Sequence, residues 1–279
     1  MQFDYTAVGH VTIDVLADGS RRPGGSAFYS ALQAARLGRR ALILTQGVAY
    51  EIEELLEPYS SELELQVLPA RHTTALQTSG WGPARTQRML AWAGPMEAQL
   101  KLSTAILHLA PIARETPGQW RARGAFLGLT PQGMVREWVQ VGDEISLARG
   151  SRASERVAAR CNALVLSAHE RASCEGLIES ALDSGALVTI TAEALPSTIL
   201  MPDGAQLEVV VPPVLDPLDD LGAGDVFAAC LFLALADGGE PEAAVAFATA
   251  GAAVRMRGSG AGAIGGKDAI EARLHALAR

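Results

Sequence analysis

Apolar residues along this chain fall into two repeating arrangements: short continuous runs and stretches with helical spacing. The run 5–16 predicts a first strand, residues 26–38 predict a helix that ends at Gly38, and residues 39–48 predict a buried strand. Strand, helix and strand in this order form a βαβ unit. The alternation continues, with strands predicted at 63–69, 104–112, within 124–133, 163–167 and 186–192, helices at 51–60, 153–161, 172–185 and 241–258, and a loop followed by a helix at 221–239. The order predicts an α/β fold: a doubly wound, mostly parallel sheet with helices on both faces.

Residues 73–95 break this pattern, because polar and apolar residues mix there and glycines interrupt the segment. The mixture favours a hairpin outside the main sheet, and together with residues 10–22 it predicts a small β lid. No repeat or linker divides the chain, so we expect residues 1–279 to form one domain that includes this lid. The exposed edge of a small sheet can pair with a second copy, which makes a homodimer through the lid a candidate assembly.

Composition narrows the possible partners. The chain has 279 residues, of which 49% are hydrophobic and 19% are charged, as in an ordinary globular protein. Its net charge of −8 argues against nucleic acid and against an anionic membrane surface. An anionic ligand therefore needs a local device, such as a helix N-terminus or a bound cation.

The three cysteines, Cys161, Cys174 and Cys230, have neither CxxC nor metal-ligand spacing, which favours free thiols in a reducing compartment. The first residues lack the basic and apolar regions of a signal peptide. The longest apolar run, "VFAACLFLALA", has 11 residues and is too short to span a bilayer. We therefore expect a cytoplasmic protein.

The stretch "DDLGAGDVF", residues 219–227, has the strongest potential for chemistry. Gly222 and Gly224 let a ligand approach the main chain, and Asp225 opens an apolar helix whose first N–H groups lack intrahelical partners. Such a helix start binds anions, and a carboxylate beside it can orient a hydroxyl and take its proton. Phosphoryl transfer needs both functions. The alternative is a helix-capping aspartate after a glycine turn, without a catalytic role.

Two signatures in this chain resemble those of the pfkB (ribokinase-like) carbohydrate kinase family. "DDLGAGDVF" is similar to the C-terminal pattern D-T-x-G-A-G-D-x-F, with Asp220 at the Thr position. "GGSAFYSALQAARLG" (24–38) resembles the N-terminal pattern G-G-x-x-x-N-x-A-x-x-x-A-R-L-G, with Tyr29 at the Asn position. "VGHVTIDV" (8–15) looks like the family's first strand. The resemblance covers essentially the whole chain and implies a ribokinase-like fold.

This resemblance implies ATP-dependent phosphorylation of a small alcohol (a sugar, cyclitol or nucleoside), with ATP and Mg²⁺ as cofactors. Asp225 would be the base, and the backbone of Gly222, Ala223, Gly224 and Asp225 would form an anion hole. Asp14, Gly24, Gly25 and Tyr29 would contact the substrate. Because Tyr29 replaces an amide with an aromatic face, we expect a cyclitol or nucleoside in preference to ribose or fructose.

Further segments resemble the inositol- and nucleoside-kinase-like branch of the family. In "LTPQGMVR", Gln132, Gly133 and Arg136 would lie near the substrate. Arg85 and Arg88 are lid candidates, with solvated surface arginines as the alternative.

"SAHE" (167–170) is similar to the family's N-x-x-E and implies that Glu170 acts near Mg²⁺ and the phosphates, whereas helix capping with Ser167 is the alternative. Thr191, Gly258 and Gly260 would lie beside the nucleotide.

The donor side departs from the family pattern. A T-x-G-x-x-G turn is usual after the strand that ends here in "TAEALPSTIL" (191–200), but Glu193 and Pro196 replace its glycines. A carboxylate near polyphosphate is unfavourable unless it points away or meets a metal. Asp220 adds a second negative charge near the anion hole. These residues keep open an alternative function, a kinase-fold binding or regulatory protein with impaired nucleotide use.

Overall fold

The computed structural model describes residues 2–97, 99–116, 119–122, 125–210 and 214–277. The strands are β1 (Phe3–Val8), β2 (Thr12–Val15), β3 (Arg21–Gly24), β4 (Ala41–Gly47), β5 (Glu64–Pro69), β6 (Ala75–Ser79), β7 (Thr86–Ala91), β8 (Gln99–Lys101), β9 (Thr104–Leu109), β10 (Gln119–Arg121), β11 (Phe126–Leu129), β12 (Arg136–Glu137), β13 (Ser146–Leu147), β14 (Ala163–Ser167), β15 (Leu187–Ala192), β16 (Leu195–Leu200) and β17 (Gln206–Val209). The α-helices are α1 (Ser26–Arg36), α2 (Ala49–Leu56), α3 (Gln132–Val135), α4 (Arg152–Ala158), α5 (Glu175–Asp183), α6 (Ala223–Ala236), α7 (Pro241–Met256) and α8 (Lys267–Leu277).

The main sheet has nine strands in the order β17-β16-β15-β14-β11-β9-β1-β4-β5. The strands from β15 to β5 run parallel to their neighbours, and β16 and β17 add an antiparallel edge. Strands β4, β14 and β15 are largely buried, nearly continuous apolar runs, as expected where helices cover both faces, whereas β5 at the edge has mixed polarity. The prediction of a doubly wound, mostly parallel α/β sheet is confirmed. Gly124, within one predicted strand stretch, lies outside the described residues.

Two hydrophobic cores fill the two faces of this sheet. Alternate residues of one strand enter different cores: Ile106 packs with α1, α6 and α7, whereas Leu107 packs with α4 and α5. The segment from Val226 to Leu233 is buried on all sides. A helix that is apolar all round belongs inside a protein, so α6 provides a rigid support for the residues at its start.

The prediction of one strand over residues 5–16 is wrong. The segment divides into β1 in the main sheet and β2 in a second sheet. The break occurs at Gly9, where an added Cβ would lie 2.1 Å from the carbonyl oxygen of Ala110. Both halves are rich in β-branched residues, so strand propensity did not reveal the change of sheet.

The second sheet, called the small sheet below, has four strands in the order β3-β2-β6-β7. Strands β6 and β7 pair antiparallel, which confirms the hairpin predicted within residues 73–95. Leu76 and Met89 of this hairpin pack against Ile112 and Ala113, which follow β9. This contact fixes the small sheet beside the carboxyl ends of the parallel strands.

The edge hairpin β16–β17, the short strand pairs and helix α8 were missed by the sequence analysis. In the part of the chain that the structure describes, no helix has both the length and the apolar character needed to cross a membrane.

Candidate active site

The start of α6 forms a cradle of free backbone donors. Gly222 caps the helix in the left-handed conformation (φ 78°), and the Ala223 N–H donates to the Asp220 carbonyl at 3.2 Å. The N–H groups of Gly224 and Asp225 lie in the first turn and therefore have no intrahelical acceptor. A Cβ on Gly224 would meet no heavy atom of the described residues within 4 Å. The cradle therefore has both open space and donors for an anion.

Asp225 lies in this first turn and is partly buried. Burial raises the pKa of its carboxyl to about 6, while the Ser26 hydroxyl and the Arg136 charge act against this shift. Glu170 and Asp14 raise this pKa further. Residues from four separate segments of the chain (Asp14, Ser26, Arg136 and Glu170) thus influence the pKa of Asp225. This pKa is in the range expected of a base that works near neutral pH.

Asp14 lies on β2 and is buried, with a hydrogen bond of 2.7 Å from the Thr12 hydroxyl. Burial raises its pKa, and Thr12, Arg22, Arg136 and Arg85 oppose the increase. The two predicted glycines beside it are needed for close packing. A Cβ on Gly24 would lie 2.2 Å from the Asp14 carboxylate, and a Cβ on Gly25 would lie 2.2 Å from the His10 carbonyl. Any larger residue at Gly24 would displace this carboxylate.

Tyr29 is 2% exposed and lies against Gly222. A Cβ on Gly222 would lie 2.3 Å from the tyrosine ring. Burial raises the pKa of the phenol to about 12, with Asp14 as the next contribution. The hydroxyl has no hydrogen-bond partner among the described residues. Tyr29 therefore joins the predicted substrate side of the site to the predicted anion hole, and its hydroxyl is an unsatisfied polar group.

Asp219 organises the loop that leads to α6. Its carboxylate accepts from Arg22 at 2.8 Å, from Arg255 at 2.9 Å, from the Leu221 N–H at 3.0 Å and from the Gly260 N–H at 2.9 Å. Although burial raises the pKa of this carboxyl, these donors together hold it well below its usual range. Asp219 thus connects the small sheet, the predicted anion-hole loop (Gly222–Asp225) and the glycine-rich segment after α7.

Asp220 points toward the small sheet. Its carboxylate accepts from the Gly82 N–H at 3.0 Å and from the guanidinium of Arg85. The negative charge of Asp220, the second residue of the "DD" pair, is therefore balanced by Arg85 of the β6–β7 loop. Arg88, by contrast, is exposed and pairs through its backbone with Glu144, in agreement with the surface alternative.

Arg136 follows the short helix α3. Its guanidinium donates to the Ile112 carbonyl at 3.2 Å and to the Gln87 side chain at 2.5 Å, so it bridges the main domain and the small sheet. Gly133 packs on the chain after β9, where a Cβ would lie 2.6 Å from the Ile112 nitrogen. Gln132 opens α3 and is partly buried.

Glu170 is buried behind β14. Its Oε2 accepts from both the N–H and the hydroxyl of Ser167, at 2.9 and 2.8 Å. Ser167 ends β14, however, and the helical segment that follows, Arg171–Cys174, has Glu170 at its N-cap without a side-chain cap, so only the carboxylate half of the predicted capping arrangement is formed. The same carboxylate acts electrostatically on Asp225 and Arg136. No group of three His, Cys, Asp or Glu side chains in the described ranges could hold a metal ion alone. Mg²⁺ commonly binds through one or two carboxylates, waters and substrate phosphates, and Glu170 fits that arrangement.

The predicted nucleotide side consists of two loops. Thr191 lies near the end of β15, and its hydroxyl donates to the carbonyl of Leu166 in the neighbouring strand β14 at 3.4 Å. Glu193 follows in a two-residue turn between β15 and β16 with φ 56°, and this hairpin stands where the glycine turn was expected. Gly260 (φ 67°) donates to Asp219, and the Gly258 carbonyl accepts from Arg255 at 3.0 Å.

Sequence reasoning missed three charged residues of this region: Arg22, Glu115 and Arg255. Glu115 is fully buried and accepts from the N–H groups of His10, Ile112 and Ala113 at 2.6–2.9 Å. Arg255 is also fully buried. A charged residue inside an apolar helix, as Arg255 is in α7, was the available signal.

The region that holds this loop matches a known family. Residues 163–265 match the model of the pfkB family carbohydrate kinases. The resemblance to the pfkB family is confirmed. The matched segment contains the "GAGD" loop, Glu170 and both glycines after α7, and the N-terminal signature lies outside it. No curated protein matches the chain.

Solved structures with the same fold cover nearly the whole chain. A nucleoside kinase of Methanocaldococcus jannaschii, described as an archaeal member of the ribokinase family, is 17% identical, with 98% of each chain covered and a TM-score of 0.73. Ribokinase of Arabidopsis thaliana, complexed with ribose and ATP, is 14% identical, with 98% of this chain and 99% of that chain covered and a TM-score of 0.74.

A pyrophosphate-dependent kinase in the ribokinase family, complexed with a pyrophosphate analog and myo-inositol, is 20% identical, with 92% and 96% covered and a TM-score of 0.70. The ribokinase-like fold is thereby established. Support for a small-molecule kinase comes from the match of residues 163–265 to the pfkB family model.

Proposed function

We propose that this protein transfers the γ-phosphoryl group of ATP to a hydroxyl of a small sugar, cyclitol or nucleoside, with Asp225 as the base. The observation that carries the proposal is the start of α6. The N–H groups of Gly224 and Asp225 lie in the first turn without intrahelical acceptors, the space around an added Cβ at Gly224 is open, and a carboxyl whose pKa burial raises to about 6 stands in the same turn. Phosphoryl transfer requires donors for the moving charge and a positioned acceptor of the hydroxyl proton.

In the proposed reaction the acceptor hydroxyl lies between Asp14 and Asp225. Asp225 takes the hydroxyl proton as the oxygen attacks phosphorus, the bond from the γ-phosphorus to its bridging oxygen breaks, and ADP leaves. The backbone from Gly222 to Asp225 holds the transferring group. Glu170 would hold Mg²⁺ on this chain, directly or through water, and the metal would supply neutralisation of the phosphate charge.

The acceptor side favours a neutral polyol or a nucleoside. Arg22, Arg85 and Arg255 are already paired with Asp219 or Asp220. The fourth arginine of this region, Arg136, uses its guanidinium on the Ile112 carbonyl and the Gln87 side chain. Asp14 and Tyr29 offer a carboxylate acceptor and a phenol, groups that suit hydroxyls better than anions. The aromatic ring of Tyr29 in place of an amide favours a cyclitol or nucleoside.

The donor side supports a second candidate, the same transfer from pyrophosphate. The hairpin turn at Glu193 lacks the glycines that would let a nucleotide approach the backbone, whereas the anion hole at α6 needs only a phosphoryl group. A pyrophosphate-dependent kinase is among the structural relatives.

A phosphorylation screen tests the proposal. Each of ATP and pyrophosphate, with Mg²⁺, is incubated with sugars, inositols and nucleosides, and products are detected by ³¹P NMR and mass spectrometry. We expect one acceptor class to be phosphorylated and Asp225→Asn to abolish the product while the variant remains folded. Undiminished turnover by Asp225→Asn contradicts the assignment of the base, and activity confined to ribose or fructose contradicts the acceptor preference.

Calorimetric titration separates this enzyme from a kinase-fold binding protein. Binding of Mg·ATP or Mg·pyrophosphate at sub-millimolar affinity, together with turnover, supports the kinase. Acceptor binding without donor binding or turnover supports the binding protein.

A further inference from the structure

The loop between β6 and β7 contacts the residue that precedes the anion-hole loop. This loop, residues 80–85, is called the hairpin tip below. The Asp220 carboxylate accepts from the Gly82 N–H at 3.0 Å and from the Arg85 guanidinium. The side chains of Asp220 and Arg85 are 14% and 24% exposed. A charge-assisted contact at two points with this burial is stronger than an exposed ion pair.

The other acidic departure from the family pattern faces the same tip. Glu193 stands in the β15–β16 turn, and its carboxylate lies 3.8 Å from the position that a Cβ on Gly82 would occupy. Asp220 and Glu193 therefore both lie beside the hairpin tip. Arg85, which belongs to this tip, supplies the opposite charge. The two acids that seemed unfavourable for a donor site thus have a common structural neighbour.

The contact reaches the reaction centre from two directions. Through its carbonyl, Asp220 accepts the Ala223 N–H, so a shift of Asp220 moves the first turn of α6. Strand β6, which leads into the tip, pairs with β2, where Leu76 lies opposite Asp14, the predicted substrate carboxylate. The hairpin tip is therefore coupled to both the anion hole and the acceptor side.

We propose that Asp220 is a positioning residue that holds the hairpin tip on the anion-hole loop and thereby aligns Arg85 and Asp14 with it for phosphoryl transfer. The role in transfer rests on the proposed function; the contact itself does not. Threonine, the usual residue at this position in the family, carries no charge to pair with Arg85. In this chain the Asp220 carboxylate therefore binds the small sheet to the loop before α6.

Hydrogen exchange tests the contact without any substrate. In Asp220→Thr the Gly82 N–H loses its acceptor, and we expect exchange in a peptide covering residues 80–85 to accelerate by about ten-fold, the loss of one charged hydrogen bond. Asp220→Asn keeps an oxygen acceptor and should give a smaller increase. Arg85→Gln, which removes the positive partner of the Asp220–Arg85 pair, should also accelerate exchange.

Asp237→Asn is the control, because it removes the carboxylate of an exposed pair with Arg39. Exchange at the tip that is unchanged in both Asp220→Thr and Arg85→Gln would overturn the contact.

Kinetics test the positioning role, with the acceptor and donor identified by the screen. We expect Asp220→Thr to lower kcat by about ten-fold with little change in the KM of the acceptor, and Arg85→Lys to retain more activity than Arg85→Gln. Faster exchange with unchanged kcat overturns the positioning role. If the wild-type protein phosphorylates nothing in the screen, the proposed function fails and the positioning role fails with it, whereas the exchange result still decides the contact.

Discussion

Arg255 and Asp219 form an ion pair in which the arginine is fully buried, with 2.9 Å between Nη2 and Oδ2. The same guanidinium donates to the Leu221 carbonyl at 2.7 Å and to the Gly258 carbonyl at 3.0 Å. One side chain from α7 therefore fixes both the loop before α6 and the loop after α7. The geometry of the predicted anion hole therefore depends on a charge pair outside it.

Asp219→Asn should destabilise the protein by about 3–5 kcal/mol, because it leaves the buried charge of Arg255 without its carboxylate. Urea denaturation of the variant and of the wild-type protein measures this loss. Asp237→Asn removes a carboxylate from the exposed pair with Arg39 and should cost about 1 kcal/mol or less. Equal losses in the two variants would show that the Asp219 network contributes no more than a surface pair.

Asp225→Asn should raise stability while it abolishes turnover. Burial raises the pKa of this carboxyl to about 6, so the folded protein holds the proton more tightly than the unfolded chain. Stability is therefore lost as the pH rises from about 4, the pKa in the unfolded chain, to about 6, and the full loss is present above pH 6. At about pH 8 we expect a gain on the order of 1–3 kcal/mol in the asparagine variant. At about pH 4 the carboxyl is protonated in the folded state, and the gain should nearly vanish. Thermal denaturation at both pH values checks this, and a gain that is independent of pH would contradict the assigned cause.

The pH dependence of kcat should show the same group. A base must be ionised to accept a proton, so kcat is expected to fall as the pH drops through about 6, with a slope of one on a logarithmic plot. The measurement uses the acceptor found in the screen and a folded-state check at each pH. A profile that stays flat down to pH 5 would exclude Asp225 as the titrating base.

The two glycines of the "GAGD" loop should fail in different ways. Gly222→Ala places a Cβ 2.3 Å from the Tyr29 ring at a positive φ, so we expect loss of stability as well as loss of activity. Gly224→Ala meets no described atom within 4 Å and should fold normally, yet lose activity because the methyl group occupies the space left for the phosphoryl group. Thermal denaturation and the kinase assay on both variants test this contrast. Full activity in Gly224→Ala would show that the ligand does not approach there.

Periodicity predicted most of the main sheet. β14 matches its predicted bounds, and α1 and α7 lie within theirs, because these elements have long, consistent apolar patterns. The division of residues 5–16 between two sheets depends on a close approach between Gly9 and Ala110, which are far apart in sequence. The edge hairpin β16–β17 has one solvated face, so apolar and polar residues mix along both strands. This mixture gave no clear strand pattern in the sequence.

The candidate site was predictable where a motif is continuous in sequence. "GAGD" needs only local geometry, a left-handed glycine and a helix start. The partners of Asp219 and Asp220 come from residues 22, 82, 85, 255 and 260, and their pairing depends on how the small sheet docks. No local sequence pattern reveals these pairings. The negative charge of Asp220, which looked unfavourable in the sequence, is paired with Arg85 in the fold.

Tyr29→Phe should separate substrate recognition from stability. The Tyr29 hydroxyl is buried without a partner among the described residues, so its removal should leave stability unchanged or raise it by up to about 1 kcal/mol. Tyr5→Phe is the matched control: its hydroxyl lies 2.8 Å from His108 Nδ1, and its loss should cost about 1 kcal/mol. If Tyr29 contacts the acceptor through this hydroxyl, the phenylalanine variant should raise the acceptor KM several-fold while kcat changes less. An unchanged KM would limit Tyr29 to packing against Gly222, and the acceptor specificity would then depend on Asp14 and its neighbours.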